Sequence, residues 1–139
     1  GKHVNFDIST ASSGFMRMLD LLPALDFAQM EDTLIVVDEI ERSLHTLLSQ
    51  YFIKKYIETV TKSQNGSQLV FSTHDTNLLD SDLLRSDEIW FMEKDSCFSS
   101  QLCNLVEFKQ TTGLNYEKGY LEGRFGAIPM FHGNGLRLR

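Results

Sequence analysis

Two successive acidic residues, Asp38 and Glu39, have the side-chain types and the spacing for metal-assisted chemistry on a nucleotide. They follow the apolar run Leu34-Ile35-Val36-Val37, which is typical of a strand buried on both faces of a parallel sheet. At such a strand end one carboxylate can hold Mg2+, usually through water, while its neighbour polarises an attacking water molecule. An alternative stays open, because two acids are also favoured near the N-terminus of the helix that follows.

A histidine stands at the end of the next apolar run, inside Ser72-Thr73-His74-Asp75. Ligands of open α/β sheets bind at the carboxyl ends of the strands, so His74 is expected to converge with Asp38 and Glu39. From there it could donate a hydrogen bond to a γ-phosphate and register whether that phosphate is present. The other interpretation is a capping or structural histidine in a loop.

A third candidate is the segment Ser12-Ser13-Gly14, where a helix is predicted to begin. Hydroxyl groups and free N–H groups at a helix start form an anion site, although an ordinary N-cap has the same composition. Pro23 is expected to kink or divide this helix. Its apolar positions after Phe15 are Met18, Leu19, Leu22 and Leu25.

The elements that position these residues predict an α/β fold with a mainly parallel sheet flanked by helices. Residues 4–8 alternate as a half-buried strand does, and residues 89–92 form a third apolar run. An amphipathic helix precedes the turn at Asn65-Gly66, and strands joined by such a helix imply a right-handed crossover and parallel pairing. The apolar face of that helix comprises Leu44, Leu47, Leu48, Tyr51 and Phe52.

The pattern weakens after Glu93. Leu102, Leu105 and Phe108 fit either a further strand or a short helix. Residues 119–131 are rich in glycine and aromatic side chains, and we expect them to pack as an ordered tail.

The composition is that of an ordinary globular protein of 139 residues, enough for one domain with a core. A formal net charge of -6 gives no global positive field that would attract nucleic acid, although a local basic patch could still bind it. No apolar run suits a membrane span or a signal-peptide core. Cys97 and Cys103 form no disulfide framework and lack the spacing of a zinc site. A cytoplasmic protein without a membrane partner is the expectation.

Taken together, these residues resemble the motifs of ABC-type ATPases. Residues 34–45 look like the Walker B and D-loop stretch, 72–75 like the switch-histidine loop, and 12–17 lie in the slot of the signature motif, in the same chain order. More narrowly, the chain is similar to the AAA/ABC-like ATPases associated with bacterial abortive infection and restriction systems. The stretches that indicate this subgroup are 19–25, 76–80 and 120–129, so the resemblance reaches from about residue 9 to residue 131.

The resemblance implies that the fold is the C-terminal lobe of a P-loop NTPase, the ABC ATPase head. The chain is then a single partial domain over residues 1–139. Its segments are the signature at 9–25, Walker B with the D-loop at 34–46, the switch loop at 72–80 and a tail at 110–139.

The same resemblance implies ATP and Mg2+ as cofactors. Asp38 would belong to the Mg2+ shell, Glu39 would be the catalytic base, and His74 would contact the γ-phosphate. These roles follow from the positions that match the family's motifs.

Two further segments are implied to bind nucleotide across a homodimer, because ABC heads close two ATP molecules between two subunits. The residues so implied are Ser12, Ser13, Gly14, Arg42, Ser43 and His45, and the last three, together with Leu44, are implied to line the dimer seam as the D-loop. Phe15 departs from the subgroup, which often has a small hydroxyl residue there, so contact by the helix start is expected to be weaker. Thr46 departs as well, at a position where proline is common.

The sequence contains no phosphate-binding loop of the form G-x-x-x-x-G-K-S/T. Gly1-Lys2-His3 lacks the upstream glycine and the following hydroxyl, and Gly133-Asn134-Gly135 has no lysine behind it. This chain alone is therefore expected to be inactive, with the N-terminal half of the head as a required partner. Either that half was cut away, or it lies on another polypeptide, or this chain is a decayed remnant; the first explanation is favoured.

The predicted function is a nucleotide-gated, dimerising ATPase switch in phage defence or nucleic-acid transactions, with a nuclease or toxin effector and nucleic acid as further partners. One alternative is a metal-dependent nuclease with Asp38, Glu39, Asp75 and Asp80 as ligands. Another is a dimerisation or regulatory module that has lost turnover. Nuclease activity with Mn2+, or dimerisation without turnover, would separate these alternatives.

Overall fold

Two four-residue strands, β1 (Leu34–Val37) and β2 (Gln68–Phe71), pair in parallel in the computed structural model. The structure describes residues 7–94, 97, 99–108, 115–126, 130–132 and 135–137. Their register places Leu34 opposite Gln68 and Val37 opposite Phe71. A parallel pair needs a long connection, and helix α2 (Thr46–Ser63) provides it. The predicted α/β class, with a short parallel sheet and helices, is confirmed.

Helix α1 spans Ser13–Met30. Ser12 is its N-cap, and the Ser12 hydroxyl accepts a hydrogen bond from the Phe15 N–H at 3.2 Å. Pro23 lies inside the helix and does not divide it. A proline removes one backbone donor, and the buried side chains of Leu21 and Ala24 on either side keep the helix packed.

The packed faces of α1 and α2 differ from the apolar faces predicted. The two helices pack against each other, yet Leu19, Leu22, Leu47 and Tyr51 are exposed. Both helices carry apolar residues on more than one side, and periodicity does not reveal which side packs. The buried positions are Leu21, Ala24 and Ala28 on α1 and Ser49, Phe52, Ile53 and Tyr56 on α2. Several of these side chains are small, which favours a close approach of the helices.

The β1–β2 sheet is shielded on one face. Side chains alternate along both strands between exposed and half-buried positions. Leu34, Val36 and Val70 are 61%, 69% and 53% exposed. The expectation that these strands are buried on both faces is therefore wrong within the part of the chain that the structure describes.

Of the N-terminal strand predicted over residues 4–8, the structure describes only residues 7 and 8, and these do not form a strand. Ile8 begins a 3-10 turn, Ile8–Thr10, and the Asp7 carboxylate caps this turn by accepting a hydrogen bond from the Ser9 N–H. The hydrogen bond from the Ser9 N–H to the Asp7 side chain therefore favours a turn conformation of the backbone at Ile8 over an extended one. Val4 and Phe6 lie outside the described residues.

The third apolar run forms β3 (Trp90–Lys94), which pairs antiparallel with β4 (Ser100–Asn104). Only five residues separate the two strands, too few for the crossover that parallel pairing requires. The expectation of a mainly parallel sheet is therefore wrong: the described strands form one parallel pair and two antiparallel pairs. The second antiparallel pair joins β5 (Met130–His132) to β6 (Gly135–Arg137).

The core around β3 is built from aromatic rings. Phe91 stacks on Tyr120 and on Phe125, with ring centroids 5.4 and 5.5 Å apart. Tyr120 lies on the short helix α3 (Tyr116–Leu121), so the tail does contribute an ordered helix. Of the three positions left open between strand and helix, Leu102 lies in β4 and Leu105 in a 3-10 turn, Leu105–Glu107.

The chain divides into two compact units, Gly1–Asp75 and Thr76–Arg139. The first unit holds α1, β1, α2 and β2, and the second holds the remaining elements. The boundary falls within the switch-loop segment, residues 72–80. None of the described helices has the length and apolar character needed to cross a membrane.

Candidate functional site

The two strand ends of the first unit bring a carboxylate and an imidazole together. Glu39 follows β1 and His74 follows β2, and the Glu39 Oε1 atom lies 3.9 Å from the His74 Nε2 atom. The predicted convergence of these residues is confirmed. The His74 side chain is 87% exposed, and an exposed contact of this length contributes little to stability. Solvent access leaves both groups open to a ligand.

Ser72 connects the two strand ends. Its hydroxyl accepts a hydrogen bond from the Glu39 N–H at 2.9 Å and donates one to the Asp38 carboxylate. The side chain therefore orients both members of the acidic pair from the neighbouring strand. Sequence reasoning gave Ser72 no role; a hydroxyl directly after β2 was the available signal, because β2 lies beside β1.

The turn that carries Glu39 has a strained backbone. Glu39 has φ of 48°, in the left-handed region that non-glycine residues rarely adopt. Such a conformation costs on the order of 1–3 kcal/mol and persists only where the surroundings hold it. Here the Ile40 N–H donates to the Ser72 carbonyl at 3.1 Å, the Arg42 N–H donates to the Glu39 carbonyl at 2.9 Å, and the Ile40 side chain is fully buried.

Glu41 ties the histidine loop to the loop after β1. Its Oε1 atom accepts a hydrogen bond from the His74 N–H at 2.8 Å. Burial, the largest single influence, raises the pKa of Glu41, but hydrogen bonds from the His74 N–H and the Thr73 hydroxyl outweigh it and leave the pKa below its ordinary value. Sequence reasoning assigned no role to Glu41, because its partner lies on a different strand end.

Replacing Glu41 with glutamine is expected to reduce the acid sensitivity of the fold. A carboxyl group whose folded pKa is lowered contributes stability above its unfolded pKa and loses it as the pH falls through the folded pKa. Denaturation of wild type and Glu41→Gln should therefore differ most near neutral pH and converge in acid. Glu58→Gln provides the control for the loss of a carboxylate, since Glu58 is exposed on α2. A constant difference at every pH would contradict the assignment.

The helix start and the loop after Glu39 meet at Gly14. A Cβ atom on Gly14 would lie 2.8 Å from the Ser43 carbonyl oxygen, so only glycine permits this approach. Ser43 itself has φ of 63°. Ser12 is engaged as the N-cap, and Ser13 is exposed in the first turn of α1. The start of α1 and the loop around Ser43 are thus brought into contact.

The remaining predicted residues lie on the same loop. Arg42 is exposed and available to a ligand. His45 is the N-cap of α2, where its Nδ1 atom accepts a hydrogen bond from the Leu47 N–H at 3.2 Å. This bond leaves the Nε2 atom of His45 as the ring nitrogen that can face a ligand.

Asp38 has the properties of a Mg2+ ligand. Its carboxylate is exposed and is oriented by the Ser72 hydroxyl. The described residues contain no cluster of three or more His, Cys, Asp or Glu side chains that could hold a metal ion by themselves. A single oriented carboxylate is one of the ligand types that Mg2+ takes, since this ion is usually bound through one or two carboxylates together with substrate phosphates.

A comparison with known protein families finds a match. The model of a family described as "AAA domain, putative AbiEii toxin, Type IV TA system" matches residues 1–80, more than half of the chain. No curated protein and no solved structure matches. The matched residues include Asp38, Glu39, Ser72 and His74, together with the first turn of α1.

Proposed function

Because this chain belongs to the AAA-domain family that matches residues 1–80, we propose that it forms the C-terminal lobe of an ATPase head, as one partial domain over residues 1–139. AAA domains in general bind and hydrolyse ATP with Mg2+. The observation that carries the proposal is the 3.9 Å approach of Glu39 to His74 at the ends of two parallel strands. Ligands of open α/β sheets bind outside the carboxyl ends of the strands.

Each residue of this site has a chemical part. Asp38 would hold the Mg2+ shell, and Mg2+ bound there would supply neutralisation of phosphate charge. Glu39 accepts a proton from the attacking water. His74 donates a hydrogen bond to the γ-phosphate. Because the Glu39 and His74 side chains lie close together, both can reach the same phosphoryl group.

A phosphate-binding segment completes the site from outside these 139 residues. The exposed face of β1 and β2 supports its docking here, because Leu34, Val36 and Val70 form an apolar strip and parallel sheets are covered on both faces in folded proteins. We identify the occupant as the N-terminal half of the same head, which carries the phosphate-binding loop. Its arrival would bury the strip.

The assembled head acts as a dimer. Ser12, Ser13 and Gly14 reach the nucleotide of the partner subunit, with Arg42, Ser43 and His45 along the seam. The close approach of Gly14 to Ser43 supports this arrangement, since it brings the two segments together within one subunit. Dimer closure on ATP is the output to a nuclease or toxin effector, and hydrolysis resets it. The family description, which names a toxin of a toxin–antitoxin system, supports a role in phage defence.

Mixing this chain with a separately produced N-terminal half should restore ATP hydrolysis that neither part shows alone. Val36→Thr should weaken the association several-fold, because it places a hydroxyl on the apolar strip without changing the side-chain shape. Val106→Thr is the matched control, since Val106 is also exposed and lies in the second unit. Turnover by the isolated chain would contradict the proposal.

Dimerisation of the mixture without turnover would instead favour a regulatory module. The nuclease alternative has no specific observation in its favour. Asp75 accepts a hydrogen bond from the Thr46 hydroxyl at 2.6 Å.

A further inference from the structure

We infer that Arg17 is a positioning residue that couples the start of α1 to the catalytic turn, so that nucleotide contact at the helix start controls the orientation of Glu39. This inference rests on the proposed function, in which the helix start touches the partner's nucleotide. Arg17 lies one turn into α1, at the end of the segment 12–17, and sequence reasoning assigned it no individual role.

The coupling is made by one guanidinium nitrogen and two backbone carbonyls. The Nη2 atom of Arg17 donates to the Asp38 carbonyl and to the Glu39 carbonyl, each at 3.0 Å. Hydrogen bonds from a charged donor are stronger and shorter than those between neutral groups. The two bonded carbonyls lie on either side of the Glu39 Cα atom, and Glu39 has φ of 48°. Arg17 is therefore hydrogen-bonded to the strained turn itself.

Arg17 is the link from α1 among the hydrogen bonds described for this turn. The other bonds come from Ser72 on the neighbouring strand end and from Arg42 within the loop. Gly14 meets Ser43 one turn earlier on the same helix. Helix α1 therefore holds the loop at two points, and closely packed contacts of this kind transmit small displacements.

Hydrogen exchange in the full 139-residue chain tests directly whether Arg17 stabilises the turn at Glu39. Arg17→Met should accelerate exchange of the Glu39 and Ile40 amides by on the order of tenfold, while amides in the middle of α2 keep their protection. Arg17→Lys, which retains a charged donor, should restore part of the protection. Lys54→Met is the control for lost charge, because Lys54 is exposed on α2. Unchanged Glu39 exchange, or a uniform increase throughout the first unit, would overturn the inference.

Turnover after mixing with the N-terminal half tests the coupling. Arg17→Met should lower kcat by about tenfold or more and leave KM for ATP within about twofold, because substrate phosphates are bound elsewhere. An equal change in kcat for Lys54→Met, or a change confined to KM, would contradict it. If wild type shows no turnover, the proposed function fails, whereas the exchange experiment still decides whether Arg17 holds the turn.

Discussion

Replacing Glu39 with glutamine is expected to reduce ATP turnover by the assembled head roughly 100- to 10,000-fold, the usual contribution of a positioned general base. Glutamine keeps the shape of the side chain and cannot accept the proton of the attacking water. Nucleotide binding should persist, because Asp38 and the Ser72 hydroxyl that orients it are unchanged. Single-turnover hydrolysis and equilibrium ATP binding, measured on the same preparation, check both parts of the expectation.

The matched control is Glu58→Gln, the same substitution on the exposed side of α2 in the same unit. Its turnover should equal that of wild type. Full activity of Glu39→Gln would remove Glu39 from the catalytic role, and the 3.9 Å approach to His74 would then need another explanation. Loss of ATP binding together with turnover would point to a structural role for the carboxylate.

Replacing Gly14 with alanine is expected to destabilise the first unit by about 1–3 kcal/mol, the usual effect of forcing extra volume into a packed site. The new methyl group would lie 2.8 Å from the Ser43 carbonyl oxygen. That neighbour is backbone and cannot rotate away, so either the helix start or the loop must move. In the assembled head the displacement should also weaken ATP-dependent dimerisation. Chemical denaturation and sedimentation measure the two effects.

Gly66→Ala is the control for the general effect of adding a methyl group, because the nearest atom to its Cβ would be an Asp32 side-chain atom at an ordinary 3.6 Å. Glycine inside a helix is normally less stable than alanine by roughly 0.5–1 kcal/mol. A gain in stability for Gly14→Ala would therefore show that Ser43 does not constrain the helix start.

Local sequence pattern predicted the parts of the site that stand at the ends of elements. The runs before Asp38 and before Ser72 became β1 and β2, and the helix between them made the pair parallel. Since parallel neighbours end at the same sheet edge, the approach of Glu39 to His74 followed from order along the chain. Ser12 as an N-cap was equally local.

The sequence pattern failed where the answer depended on distant parts of the chain. Both helices have apolar residues on two sides, and the pattern selected Leu19 and Leu47, which are exposed, in place of buried residues such as Ala28. Periodicity describes a single helix, whereas burial depends on the surface that faces it. The apolar run of β3 did not reveal how this strand would pair. Its pairing is antiparallel because the connection to β4 is too short for the crossover that parallel strands need.

The sequence by itself determined which chemical groups this protein can present: an acidic pair and a histidine at two strand ends, and a glycine-containing helix start. The tertiary structure alone decided how they are held. Ser72 orients Asp38 from the neighbouring strand, Glu41 binds the His74 backbone, and Arg17 reaches from α1 to the Glu39 turn. These bonds join residues 21 to 34 positions apart, and no local pattern specifies such contacts, because they form only when packed elements bring the chain together.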